Sequence, residues 1–279
     1  MAERIHRAKS KGLRPAAEGL ETRQLLSAQV TGTDLDGDTW VLDLQGPGDL
    51  AVINQNGPDG LPVPLGTPAL INEIKFTGTA PLSSKLVGAV TRGPSGDGKV
   101  YFANMTQFGG DSLTVPGSDG VRIIDMPDFW MGDTDPTSTD TTRGTISIPD
   151  GVVSLRFGGV DTTAFFGTTD SQRLNRNNRS DRFLINLGLP AYAGTTILVD
   201  TVTTSGPPAA TATGDPTQDT VTFSVQGRLN TFQANAINGN ADVPANAFAR
   251  DAGTIVNAVP VQSDDNSGTL AGQIGDVRI

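Results

Sequence analysis

Asp34, Asp36 and Asp38 fall at alternate positions of the stretch DLDGD, and Asp43 follows five residues later. Carboxylates spaced this way on a turn can converge on a hard cation. Calcium, which takes roughly six to eight oxygen ligands and tolerates irregular geometry, is the cofactor such a set would suit. An EF-hand loop needs Gly at its sixth position and Glu at its twelfth. Counted from Asp34, the Gly here is fourth and Gln45 is twelfth, so the match is partial. The same residues also read as an Asp36-Gly37 turn that joins two strands and leaves its carboxylates in water.

A second set lies in MPDFWMGDTDPTSTDTTRG, where Phe129 and Trp130 stand beside Asp133 and Asp135. On a loop, a ring can stack on a sugar while carboxylates bond its hydroxyls, which makes these four residues candidates for contact with a glycan or a partner. The opposing reading is that the segment folds back and buries its aromatics. Asp133 and Asp135 as a glycosidase pair would need to face each other across a cleft, which spacing along a loop does not establish. The basic run QRLNRNNRSDR offers Arg173, Arg176, Arg179 and Arg182 to an anion, or reads as a solvated loop paired to nearby Asp residues. His6 is the only histidine and lies in the tail, so no Ser-His-Asp or His-metal set can be assembled. With no catalytic motif in view, the sequence points to a protein that is not an enzyme.

The elements that must hold these residues are strands. Thr, Val, Asn and Asp are abundant, Gly numbers 34 and Pro 18, while Glu occurs only four times and Lys not at all after Lys99. Helix formers are therefore scarce, and β-branched residues with turn formers predict an all-β chain. Short apolar runs such as TWVLDLQ, INEIKFTG, VSLRFGG and TVTFSVQG alternate with Gly, Asn and Pro clusters. Apolar residues at positions one, four and six recur in Ile71, Ile74, Phe76; Val152, Leu155, Phe157; Leu229, Phe232, Ala234; and Ile274, Val277, Ile279. The last two positions are the alternation of a strand, and the offset of three marks a turn or bulge before it. The copies start 81, 77 and 45 residues apart. With coils of roughly 20 to 25 residues, those gaps would hold three or four coils, three or four coils, and two. The expected architecture is a right-handed parallel β-helix, or β-solenoid, over residues 28–279, with loops inserted at 128–145 and 168–182; the alternative is a β-sandwich. The terminal GQIGDVRI would leave Ile274, Val277 and Ile279 on an open strand edge. Such an edge is a template for another chain, so self-association or pairing with a partner protein is expected there, unless 235–250 folds over it.

Charge narrows the partners. Residues 1–27 carry six Lys or Arg against three acids, and the remainder carries 14 against 27. An anionic body speaks against nucleic acid or an anionic membrane surface, both of which need clustered Lys and Arg. No apolar run approaches the roughly 18 residues of a spanning helix. The absence of Cys removes disulfides and thiolate sites without fixing the compartment.

The basic lead of residues 1–27 ends in LETRQLLSA, Leu20 to Ala28, which resembles the LEPR-XLL segment that opens many large envelope and secreted proteins of planctomycete bacteria; Thr22 stands where that family usually has Pro. The stretches DLDGDTWVLDLQGPGDLAV, INEIKFTGTAPLSSKLVGAV and GDGKVYFANMTQFGG are similar to the opening coils of the β-solenoid surface proteins of that group, and QIGDVRI to one of their internal coils. The resemblance implies a sorting segment followed by a secreted or cell-envelope β-solenoid with a structural or adhesive task. The alternative is a carbohydrate-active β-helix, a polysaccharide lyase or hydrolase, or a glycan-binding module that uses the 128–145 segment.

Overall fold

The computed structural model describes residues 27–55, 61–108, 120–133, 142–165, 182–188, 194–203, 220–226, 228–238, 254–259, 261–262, 269–270 and 273–278. These residues form strands and turns with no helix, so none could supply a helix long and apolar enough to cross a membrane. In chain order the strands are β1 (Ser27–Thr33), β2 (Thr39–Gln45), β3 (Asp49–Asn54), β4 (Ile71–Thr77), β5 (Lys85–Thr91), β6 (Val100–Gln107), β7 (Val121–Asp133), β8 (Thr142–Ile148) and β9 (Val152–Phe165). They continue as β10 (Arg182–Leu187), β11 (Thr195–Thr203), β12 (Thr220–Gln226), β13 (Arg228–Asn238), β14 (Thr254–Val259), β15 (Val261–Gln262), β16 (Thr269–Leu270) and β17 (Gln273–Arg278).

From β4 onward the chain alternates between two ladders. Strands β4, β6, β8, β10, β12 and β14 make one, and every pairing in it is parallel. Strands β5, β7, β9, β11, β13 and β17 make the other, again all parallel. Parallel neighbours cannot be joined by a hairpin. Each strand therefore reaches its partner only after the chain has visited the other ladder. At one end the pattern changes, because β2 lies antiparallel to β5 with β1 antiparallel to β2, and β3 lies antiparallel to β4. Strand β6 ties the ladders together: Val100–Phe102 pair with Phe129–Met131 of β7, and Asn104–Thr106 pair with Thr145–Ser147 of β8. The result is one mixed sheet that carries both ladders.

Inward positions are apolar and aligned along each ladder. Ile124, Leu155, Ile197 and Phe232 are neighbours in register and all fully buried. Met126, Phe157, Val199 and Ala234 form the next row. The ladders share a core: the ring of Phe223 on β12 meets that of Phe232 on β13 edge to face, with centroids 5.0 Å apart and planes at 70°. Such a pair adds to the area each ring buries.

The one, four, six pattern finds its physical reason here. Ile71, Ile74 and Phe76, Val152, Leu155 and Phe157, and Leu229, Phe232 and Ala234 are all buried. The register shifts between Ile53 and Asn54 opposite β4, and between Thr195 and Thr196 opposite β13, so an extra residue sits between the first and second buried positions in both places. In the fourth copy, Ile274 pairs with Leu229 and Val277 with Phe232, while Ile279 lies outside the described residues. The assumed spacing requires correction. Val152 to Leu229 spans 77 residues but only two returns to the same ladder, and Leu229 to Ile274 spans 45 for one. A return takes about twice the assumed length because the chain lays a strand in the other ladder, plus the connections, before it comes back. The loop expected over 128–145 also requires correction at both ends, since 128–133 belongs to β7 and 142–145 to β8, while 134–141 lies outside the described residues.

Candidate functional site

The stretch DLDGD closes the β1–β2 hairpin between paired Thr33 and Thr39. The Asp34 N–H donates to the Asp38 carbonyl at 2.9 Å, and Gly37 turns the chain with φ 96°. Asp34 Oδ1 accepts the backbone N–H of Gly37 at 3.0 Å and of Asp38 at 2.8 Å, which is how a short acidic side chain stabilises its own turn.

Asp38 does something else. Its side chain is fully buried and points across to the loop 92–98, where Oδ1 accepts the Gly93 N–H and Oδ2 the Gly98 N–H, both at 2.6 Å. Asp36 Oδ2 accepts the Asp97 N–H at 3.1 Å. Three successive carboxylates thus meet backbone donors, and two of them stitch the hairpin to a distant loop. Arg92 Nε bonds the Gly96 carbonyl at 2.6 Å and holds that loop in shape. Its glycines are needed for close approach, because a Cβ on Gly96 would overlap Asp38 Oδ1 and one on Gly93 would overlap the Gly37 carbonyl oxygen. The motif RGPSGDG is the sequence signal for this contact that a search for ligating side chains alone passes over.

Carboxylate oxygens of Asp34, Asp36 and Asp38 all lie within 4.8 Å of one another. Burial, followed by the hydrogen bond to Asp36, pushes the Asp34 carboxyl up to about 7. Asp36, which receives that bond, is held below the usual carboxylate range. The pair therefore shares one proton near neutrality. A cation could take the proton's place with one oxygen from each of the three acids, although calcium would need several more oxygens and Asp38 already spends both of its own. Asp43 is not part of the cluster: it sits on β2 in register with Gln29 and Val87, and its Oδ2 accepts the Gln45 amide at 3.0 Å.

The proton sets a pH dependence. A carboxyl whose folded value is raised contributes most when protonated in both states, and that contribution fades as pH rises from about 4 through about 7. Asp36 acts in the opposite sense but below that window. The melting temperature is expected to fall between pH 5 and pH 8. Asp34→Asn, whose amide can accept from the backbone and donate to Asp36, should flatten that fall and melt higher than the parent at pH 8. Parallel pH profiles for the two chains would show the shared proton to be unimportant.

The aromatic pair is placed differently from a sugar platform. Phe129 is fully buried on β7, with its ring where a side chain on Gly88 would need to be. Trp130 is 8 % exposed; it pairs in register with Tyr101 and Gly159, and Lys99 Nζ lies 4.1 Å from its ring centroid. The ammonium covers the indole as a cation–π contact. Neither ring is free to stack on a ligand, which corrects their assignment as contacts; both bury because 128–133 continues a strand. Asp133 is the last residue of β7, and Asp135 lies outside the described residues. So do His6 and the Arg-rich run except Arg182, which begins β10. Ile274 and Val277 lie on β17. Compared with known families, curated proteins and solved structures, the chain matches none.

Proposed function

We propose that residues 28–279 form a right-handed β-solenoid that serves outside the cell or in its envelope as a structural and adhesive element without catalysis. The observation that carries this reading is the alternation of successive strands between two all-parallel ladders, with inward side chains stacked in register. A chain wound in this way can be extended at an unpaired end, which suits scaffolding better than turnover. The envelope address rests on the likeness of LETRQLLSA to a sorting segment; all of it but Ser27 and Ala28 lies outside the described residues.

Among the described residues β14 pairs only with β12 and β17 only with β13, so both ladders present an edge at the same end. Their backbone groups favour a second copy or another envelope protein. Light scattering across concentration tests this: the parent mass should rise with concentration, and the Val277→Lys, Ile279→Lys double variant should remain monomeric. A parent that stays monomeric at high concentration while β17 amides are protected from exchange would remove association from the reading. Polysaccharide fragments appearing on incubation with the protein would replace it by a carbohydrate-active enzyme.

Calcium at Asp34, Asp36 and Asp38 would compete with the shared proton. Millimolar calcium should then raise the melting temperature at pH 8 more than at pH 5, and not in Asp34→Asn. No rise at pH 8 leaves these residues as the stitched turn described above.

A further inference from the structure

A cleft of about 270 Å³ lies on the outer side of the second ladder, a little below the roughly 300–1,000 Å³ of ligand pockets that enclose a whole small molecule. It crosses four strands, with Pro127 from β7, Arg156 from β9, Leu198 and Asp200 from β11, and Gln233 and Asn235 from β13. The register explains the hollow. Arg156, Leu198 and Gln233 are aligned neighbours in one row. In the next, Asp200 lies between the paired positions Val199–Phe157 and Thr201–Gly159, so it stands opposite Gly158, which has no side chain to reach toward it. A Cβ there would overlap the Trp130 indole and approach the Pro127 carbonyl oxygen at 2.7 Å. Glycine at 158 is thus required by the same Trp130 that Lys99 covers, and Pro127 bounds the cleft on that side.

We infer that this cleft binds a neutral polysaccharide segment. The argument is one of elimination and fit. Arg156 is the only cation lining it and lies 3.5 Å from Asp125, with Asp200 in the same cleft, so an anion gains little there. A metal ion would find a single lining carboxylate, and Asp200 already accepts the Asn235 amide at 2.7 Å and the Thr201 hydroxyl at 3.3 Å. An apolar ligand would strip water from four polar side chains. Sugar hydroxyls both donate and accept, and this lining offers donors from Arg156, acceptors from Asp200 and both from Gln233 and Asn235. Pro127 and Leu198, each partly exposed, give the apolar C–H face of a ring a surface to rest on. A trough across four strands spans roughly 14 Å at the usual strand spacing, a shape that follows a polymer better than a single sugar. The inference supplies a ligand class for the adhesive part of the reading above and rests on that part alone.

Native electrophoresis in gels cast with a mixed-linkage β-glucan, a galactomannan, a xylan or polygalacturonate tests it. At least one of the three neutral polymers should retard the parent chain. Asp200→Ala with Asn235→Ala should weaken that retardation at least tenfold at unchanged melting temperature, and Asn235→Ala alone, which leaves the carboxylate in place, should weaken it less. Retardation by none of the neutral polymers, by polygalacturonate only, or equally in parent and double variant would overturn the proposal. Concentration-dependent mass measured on the same double variant keeps the two ideas apart, because losing the cleft leaves the ladder edges intact.

Discussion

Asp38→Ala is expected to lower the melting temperature by about 10 °C. The carboxylate is fully buried and is met by two short backbone N–H bonds from residues more than fifty positions away. Hydrogen bonds to a charged group contribute about 1.5–3 kcal/mol each, and truncation also strands the Gly93 and Gly98 donors. A loss of about 3–5 kcal/mol in a chain of this size corresponds to about 2–4 °C per kcal/mol. Asp38→Asn keeps one accepting oxygen and should lose about half as much. Asp36→Ala, at an exposed position with one longer backbone bond to the loop beside the proton it shares with Asp34, should lose less than Asp38→Ala, about 1 kcal/mol. If Asp38→Ala melted within a degree or two of the parent, the hairpin and the 92–98 loop would not depend on each other, and the alternating acids would regain standing as ligands first and turn second.

This contrast shows what the sequence could convey. Strands were legible because Trp40, Leu42 and Leu44 alternate, and their burial follows that alternation. The one, four, six pattern was legible too, since a bulge moves one inward side chain by a residue and leaves its trace in the spacing. Which strand lies beside which was not, because an inward Ile or Phe records the face it occupies and says nothing of its neighbour. The chain length between partners in one ladder is hidden for the same reason. Asp34, Asp36 and Asp38 were legible as a group, but the partners that decide their role are backbone N–H groups, which carry no signature beyond the glycines that let them come close. Trp130 read as a ligand platform because Pro127 and the nearby Asp residues have the composition of a loop. Its contacts with Lys99, just ahead of β6, and with Gly158 on β9 join distant parts of the chain and become visible only once these are folded.

Phe232→Ala is expected to cost about 3–5 kcal/mol, the usual loss for a buried ring, and the distribution of that loss matters more than its size. Phe232 is fully buried, pairs with Ile197 on one side and Val277 on the other, and meets Phe223 of the opposite ladder at 5.0 Å. It thus links three strands of one ladder to the other ladder near the unpaired edges. In a solenoid each circuit contacts only its neighbours, and stability is a sum of local terms. Amide exchange in Phe232→Ala should then accelerate across β12, β13, β14 and β17 while β2, β5 and β7 keep their protection, and the melting curve should broaden or split. A core that behaves as a single cooperative unit would lose protection evenly and keep one sharp transition at lower temperature. The even outcome would mean that the two ladders act together as the faces of a sandwich. The uneven outcome would mean that they are wound from stacked circuits, and would make the β14 and β17 end the least stable part of the chain and the part with most to gain from a partner.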